Sequence, residues 1–334
     1  MQEVIAGPKD HSRKTIMLMV TLALLTLSLV AVAVTGSLYV AGRDAATSAL
    51  PVVSVGATVQ APPYQLSIIA NASRPLGVAV NAAGDRIYVT ESAGSRETKV
   101  FDREGKLLGS LAPPDTDSAS RNPIYVAVNA DGRVYISDRL RRTIDIYSTD
   151  GAYEGNLAPP QGEDWSPLGL SFDEEGNLVV TDISKGNHRV LVVNPQGEKV
   201  LEFGKEGKGP GELSFPNAAL RLNQDRFVVS DSNNGRLAVF DGEGRFQFNV
   251  GGGMALPRGL AYDANTGRLY VVDTSNHRIV AYEAQGDRFR QLFTAGSEGV
   301  GDGEFEFPNG IALDSNRRLY ITDRENNRVG VWGY

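Results

Sequence analysis

Six acidic side chains recur at regular intervals along this 334-residue chain, and they are its first candidates for chemistry. Each acid ends a short run of apolar and β-branched residues: Glu91, Asp138, Asp182, Asp231, Asp273 and Asp323. A ring of carboxylates could bind a divalent cation, because Ca²⁺ and Mg²⁺ take oxygen ligands. An arginine, however, follows the last four acids at a spacing of five or seven residues: Arg189, Arg236, Arg278 and Arg328. We therefore expect these acids to pair with arginines and loop amides, which is a structural role.

The composition excludes several kinds of site. The chain has no cysteine, so it can form neither a disulfide framework nor a thiolate metal site. Its formal charge of −7 argues against a general electrostatic affinity for nucleic acid, and we expect no nucleic-acid partner. Neither a Gly-x-Ser-x-Gly nucleophile elbow nor a Walker-type phosphate loop occurs.

The segments around the acids predict the elements that position them. Runs such as Arg268–Asp273, rich in Val, Ile and Tyr, are typical of strands. Each unit begins with a proline after a loop: Pro75, Pro123, Pro167, Pro216, Pro257 and Pro308. From each proline we predict four strands separated by turns that contain Gly, Asn or Asp. Six such units, starting near residues 74, 121, 166, 215, 256 and 307, predict an all-β fold, a six-bladed β-propeller.

The last unit is one strand short at the end of the chain. Tyr334 comes directly after the predicted third strand of that unit. Tyr64 begins a strand-like segment eleven residues before Pro75, and the fourth strand starting at Phe246 has the same spacing before Pro257. We therefore expect residues 63–70 to complete the last blade of a domain spanning 63–334, which removes an exposed sheet edge.

The repeats resemble the NHL family, in its membrane-anchored bacterial form. Residues 231–237, 273–279 and 323–329 follow the Asp-x-x-Asn-x-Arg core of that repeat, and the loop 204–216 is similar to its Gly-rich spacer. The resemblance implies a six-bladed propeller. It leaves the function open, because this fold serves unrelated activities.

Two activities of similar propellers supply an alternative. Propellers similar to the peptide-amidating lyases hold zinc with several histidines around the central channel, and His188 and His277 do not make such a set. A gluconolactonase-like activity would need carboxylate and amide groups holding Ca²⁺ or another divalent ion in the channel. We expect no cofactor and a non-enzymatic role. The alternative is a membrane-tethered hydrolase or lyase with a divalent-metal site in the channel.

The second unit departs from the repeat in a way that predicts a binding surface. Its loop reads Arg139-Leu140-Arg141-Arg142, a basic cluster in an acidic domain. The loops between second and third strands share one face of a propeller with the blade-to-blade linkers, and the linker into the next unit carries Trp165. Arginine and tryptophan are frequent interface anchors. We predict that Arg139, Arg141, Arg142 and Trp165 bind an acidic partner, the alternative being sequence drift near the closure of the ring.

The first 62 residues predict attachment to a membrane. Residues 15–42 carry no charged side chain, and about twenty apolar residues cross a hydrocarbon core of roughly 30 Å. Lys9, Arg13 and Lys14 precede this run, so the positive-inside bias keeps residues 1–14 in the cytoplasm. We expect 15–42 to be a transmembrane signal-anchor helix rather than a cleaved signal peptide, and 43–62 to be a linker. The prediction is a single-pass cell-membrane protein whose extracytoplasmic propeller is a scaffolding or sensor module for another membrane or exported protein.

Overall fold

The computed structural model describes residues 63–159, 163–222, 225–251, 253–285 and 288–334. The predicted tail, membrane helix and linker (1–14, 15–42 and 43–62) lie outside these ranges. Within them, no helix has the length and apolar character needed to cross a membrane.

The strands of the described residues form six four-stranded antiparallel sheets, the blades, so the predicted all-β six-bladed propeller is confirmed. Blade one contains β2 (Pro75–Val80), β3 (Ile87–Glu91), β4 (Thr98–Phe101) and β5 (Leu107–Leu111). Blade two contains β6 (Pro123–Val128), β7 (Val134–Asp138), β8 (Thr143–Tyr147) and β9 (Tyr153–Leu157). Blade three contains β10 (Pro167–Phe172), β11 (Leu178–Ser184), β12 (Asn187–Val193) and β13 (Lys199–Phe203).

The remaining strands follow the same order. The linker into blade four contains a small parallel pair, β14 (Lys205–Glu206) and β15 (Glu212–Leu213). Blade four contains β16 (Pro216–Leu222), β17 (Arg226–Asp231), β18 (Arg236–Asp241) and β19 (Phe246–Val250). Blade five contains β20 (Pro257–Asp263), β21 (Arg268–Asp273), β22 (Arg278–Gln285) and β23 (Arg288–Ala295). Blade six contains β24 (Pro308–Leu313), β25 (Leu319–Asp323), β26 (Arg328–Gly333) and β1 (Tyr64–Ile69).

Blade six joins the two ends of the domain. Strand β1 runs antiparallel to β26, with Tyr64 opposite Gly333 and Ile69 opposite Val329. Backbone hydrogen bonds between the first and last strands therefore close the ring, and the outer edge of β26 is not left open for pairing with another chain.

The core lies between neighbouring blades. Val228 and Leu237 of blade four pack with Leu269 and Val271 of blade five, all of them inaccessible to solvent. Burying one such side chain contributes about 1.5–3 kcal/mol. Because each blade covers the face of the next, stability depends on the complete ring.

The register places the prolines and the acids together. The proline that starts each blade lies opposite the acid that ends the second strand, as Pro257 lies opposite Asp273. The same pairing occurs in all six blades, and in each the register shifts immediately afterwards. This end of the blades also holds the linkers and the loops between second and third strands. We call it the linker face.

Candidate functional site

The repeat acids fasten the linkers, as expected. Asp231 is fully buried; its Oδ1 accepts a hydrogen bond from the Ser214 amide (2.6 Å), and its Oδ2 accepts from Asn234 (2.8 Å) and from Arg236 Nε (2.7 Å). Arg236 also donates to the linker carbonyls of Gly209 and Glu212, both at 2.9 Å. The corresponding acid–arginine pairs are present in blades three, five and six. In blades three to six, the repeat carboxylates therefore accept hydrogen bonds from the protein itself.

The two repeat histidines also hold linkers. The Phe215 amide donates to His188 Nδ1 at 3.3 Å, and His277 Nδ1 lies 3.1 Å from the Phe305 carbonyl oxygen. His277 is buried and its ring centroid lies 4.6 Å from that of Phe307. In the part of the chain that the structure describes, His, Asp and Glu side chains form no group of three that could hold a metal ion.

The residues directly after the six prolines divide the channel into two halves. Blades one to three have apolar side chains here, whereas blades four to six have polar ones: Leu76, Ile124 and Leu168, then Asn217, Arg258 and Asn309. The three apolar side chains form one buried cluster with Tyr125. At the linker-face end, the channel is therefore lined by apolar side chains from blades one to three and by hydrogen-bonding side chains from blades four to six.

Tyr125 occupies a position that is small in every other blade. A side chain there usually cannot fit: a Cβ added to Gly169 would lie 2.2 Å from the Asn217 carbonyl oxygen of the next blade. In blade two, the Tyr125 hydroxyl instead lies 3.4 Å from the side-chain oxygen of Asn217 and 3.4 Å from Asn309 Nδ2. Blades two, four and six are not neighbours, so these groups meet near the axis of the ring. Burial raises the pKa of Tyr125 to about 12, so its hydroxyl is neutral.

Arg258 lies beside this cluster without a carboxylate. Its Nη1 donates to the Asn309 side-chain oxygen at 2.6 Å, while its Nε is buried and has no hydrogen-bond partner. Among the described residues it forms no ion pair. Burial lowers the pKa of Arg258, the interaction with Tyr125 opposes this shift, and the positive charges of Arg324 and Arg139 lower the pKa further. Those two arginines therefore lie close enough to repel Arg258.

Two arginine–phenylalanine pairs stand around Arg258. The Arg139 guanidinium lies over the Phe215 ring at 5.7 Å, and the Arg324 guanidinium lies over the Phe307 ring at 5.5 Å. Each arginine directly follows a repeat acid, and each phenylalanine directly precedes a blade proline. We call Arg139, Phe215, Arg258, Phe307 and Arg324 the channel mouth.

The charge balance of the channel mouth is positive. Arg139 forms no ion pair within the described residues, whereas Arg324 lies 2.9 Å from the Glu325 carboxylate. Glu325 is shared with Arg74, at 2.5 Å. The amide oxygens of Asn217 and Asn309 are possible Ca²⁺ ligands, but arginine side chains repel a divalent cation. The described residues also provide no group of three His, Asp or Glu side chains that could complete such a site. The arginines of the channel mouth therefore favour an anion over a divalent cation at this position.

The predicted binding residues have different surroundings. Arg139 is exposed and belongs to the channel mouth. Arg141 pairs with the buried Asp145 at 2.5 Å, and Arg142 pairs with the exposed Asp164 at 2.6 Å. Arg142 Nε also donates to the Trp165 carbonyl oxygen at 3.0 Å. The structure thus links Arg142 to Trp165 through the backbone, and engages Arg141 inside blade two.

The interpretation of Trp165 as an exposed anchor is wrong. Its side chain is 2% exposed and packs in a core cluster with Ile144, Val180 and Leu191. Its indole fills space between two sheets, since Ile144 belongs to blade two and Val180 and Leu191 belong to blade three.

Sequence reasoning missed Arg258, Arg324, Tyr125, Asn217 and Asn309. A signal was present: once the six units are aligned on their prolines, Tyr125 stands alone among glycines and alanine, and the next column divides into apolar and polar halves. Within one unit, nothing indicates which of these side chains point to the axis.

Comparisons with known proteins agree on the repeat. The sequence model described as "NHL repeat" matches residues 165–193, 254–282 and 305–332. Protein brain tumor of Drosophila melanogaster is 26% identical over 136 residues, which are 40% of this chain and 13% of that protein. A probable peptidyl-alpha-hydroxyglycine alpha-amidating lyase of Caenorhabditis elegans is 24% identical over 277 residues, covering 72% of this chain and 74% of the relative. NHL repeat-containing protein 3 of Mus musculus is 26% identical over 66% of this chain and 54% of its own length.

Among solved structures, a gluconolactonase from Xanthomonas campestris superposes with a TM-score of 0.61 at 16% identity. The match covers 82% of this chain and 95% of that chain. At this identity the likeness concerns the fold.

Proposed function

Because this chain is an NHL-repeat β-propeller, we propose that it is a protein-binding module that receives an acidic segment of a partner protein on its linker face. The observation that carries the proposal is the group of arginines at the channel mouth. Arg139 and Arg258 have no carboxylate partner among the described residues, in a protein whose formal charge is −7. Gathering like charges in a partly buried site is unfavourable, and an acidic ligand would offset that repulsion.

The blade-two arginines contribute unequally to such a surface. Arg141 is committed to Asp145, whose side chain is 3% exposed, so the pair belongs to the blade interior. Arg142 is 44% exposed and pairs with Asp164, which is 79% exposed. Exposed pairs of this kind are worth about 0–1 kcal/mol, so a partner's carboxylate can replace Asp164 at little cost. We therefore assign Arg139 and Arg142 to the partner surface and Arg141 to its support.

The N-terminal sequence supports a proposal for where the chain acts. We propose that residues 15–42 anchor the chain in the cell membrane, with residues 1–14 cytoplasmic and the propeller outside. The uncharged stretch 15–42 and the basic flank before it support this orientation. The partner would then be another membrane or exported protein.

The test is crosslinking on intact cells that express the full-length chain. An amine-reactive crosslinker that cannot cross the membrane is applied, and the chain is purified in mild detergent for mass spectrometry. We expect a stoichiometric exported or membrane protein, whose recovery falls at least about tenfold with Arg139→Glu combined with Arg142→Glu, since reversed charges at a rim repel the partner. Arg245→Glu is the matched control, because Arg245 is 69% exposed and lies in the turn before β19, outside the channel mouth.

If the Arg139→Glu/Arg142→Glu chain and the Arg245→Glu chain recover equal amounts of the partner, the proposed surface is contradicted. A chain crosslinked only after the cells are permeabilised would contradict the proposed orientation.

A further inference from the structure

Arg258 is the least compensated charged group of the channel mouth. It is partly exposed, so a ligand can reach it, yet its Nε is buried without a hydrogen-bond partner. Its hydrogen bond to Asn309 uses Nη1 and a neutral amide oxygen. A buried guanidinium is normally balanced by a carboxylate and has five donors to satisfy. The site therefore lacks an anion rather than another donor.

The surroundings of Arg258 are hydrogen-bonding and positively charged, which favours an anion. Tyr125, hydrogen-bonded to Asn217 and Asn309, places a neutral hydroxyl near the axis and close to Arg258. Phe215 and Phe307 present aromatic rings, each already stacked against an arginine. Beside Arg324, the Glu325 carboxylate is shared with Arg74. Arg258 thus has two further arginines near enough to repel it and no carboxylate paired with it among the described residues.

We infer that the channel mouth binds a single carboxylate, the side chain of a Glu or Asp residue in the partner's acidic segment, and that Arg258 is the residue that recognises it. A guanidinium offers two parallel N–H donors that match the two oxygens of a carboxylate. Arg139 and Arg324 attract the segment, while Arg258 selects the residue that enters. The inference rests on the proposed function and names the chemical group that the partner surface recognises.

The experiment compares two blocked peptides that differ by one group. Ac-Gly-Gly-Glu-Gly-Gly-NH₂ and Ac-Gly-Gly-Gln-Gly-Gly-NH₂ are titrated against the full-length chain in detergent, with ligand-observed saturation-transfer NMR as the readout. The Glu peptide should bind at least about tenfold more tightly than its Gln isostere, and added salt should weaken it. Arg258→Gln should abolish this preference, whereas Arg245→Gln, a control on the exposed β18–β19 turn, should keep it.

Two further variants keep the test decisive if Arg258→Gln does not fold. Arg258→Lys retains the charge and loses the bidentate fork, so it should reduce the preference without removing it. Arg324→Gln keeps Arg258 intact and should weaken both affinity and salt dependence. Melting curves without peptide check that each variant is folded.

Equal binding of the Glu and Gln peptides, or a preference that survives Arg258→Gln, would overturn the inference. Binding of a phosphoserine peptide with no binding of the Glu peptide would also overturn it. If a partner is captured on cells but neither peptide binds, the proposed function is supported and only the carboxylate site is contradicted. If the Glu peptide is preferred but no partner is captured on cells, the proposed partner surface is contradicted and the carboxylate site is supported.

Discussion

Blades two and four end their second strands with the same residue and satisfy it by different means. In blade four, Asp231 is held by Arg236 and Asn234, and Arg236 continues to two carbonyls of a Gly-rich linker. In blade two, Asp138 accepts from three backbone amides, those of Asn122, Leu140 and Arg141, each at 2.9 Å. Both acids are buried and both are satisfied.

The difference shows where arginines are left without an ion pair. An arginine at the repeat position donates its N–H groups within its own blade, because it binds both a buried acid and the carbonyls of the linker. Blade two has Thr143 at that position and a linker without the Gly-rich pattern. Its arginines stand elsewhere in the loop, and Arg139 is left without an ion pair among the described residues. Blade six has Arg324 at the position of Arg139, and there the next residue, Glu325, pairs with it, whereas blade two has Leu140. The residue that follows the arginine therefore decides which of the two lacks an ion pair in the described part of the chain.

The largest effect should come from removing the repeat arginine. Arg236→Ala leaves Asp231 buried without its cation and two linker carbonyls without a donor, so we expect a loss of about 3–5 kcal/mol in the free energy of unfolding. The matched change in blade two, Thr143→Ala, should cost less than about 1 kcal/mol, because Thr143 is uncharged and its removal leaves no buried charge without its ion-pair partner. Urea unfolding of the full-length chain in detergent measures both. Similar losses in the two variants would show that the blades do not differ in this way.

A smaller effect should come from the hydroxyl of Tyr125, whose counterpart in blade four is Ala218. Tyr125→Phe leaves the amides of Asn217 and Asn309 without a shared partner near the axis, and we expect a loss of about 1–2 kcal/mol. Tyr262→Phe is the control: it lies on the inner strand of blade five, and its hydroxyl has no hydrogen bond to another described residue. Equal melting temperatures for Tyr125→Phe and the parent chain would exclude a stabilising link between blades two, four and six.

The sequence repeat made the fold predictable, but it did not indicate which residues form the channel mouth. The prolines and acids recur in one register, so counting units was enough to expect six blades and a strand from 63–70 beside β26, where β1 is found. Tyr125, by contrast, contacts Asn309 across 184 positions of sequence, and that contact exists only after the ring closes. Trp165 was misjudged for a related reason, since its burial depends on contacts with residues of two different blades. The predicted membrane segment lies outside the described residues and stays a prediction.

The smallest effect concerns the pH dependence of blade two. Asp145 stands where blade four has the buried Ala238, and burial raises the pKa of Asp145 to about 6, although its pair with Arg141 opposes the shift. Because the folded pKa lies above the unfolded value, the contribution to stability is complete below about pH 4 and is lost as the pH rises through about 6. Asp145→Asn keeps an acceptor for Arg141 and removes the titration. Between pH 4 and 7 the parent chain should therefore lose roughly 1 kcal/mol relative to the variant, a value reduced for the ion pair and for partial solvation. Parallel stability–pH curves for the two chains would show that Asp145 titrates normally and that blade two tolerates its carboxylate as readily as blade four tolerates alanine.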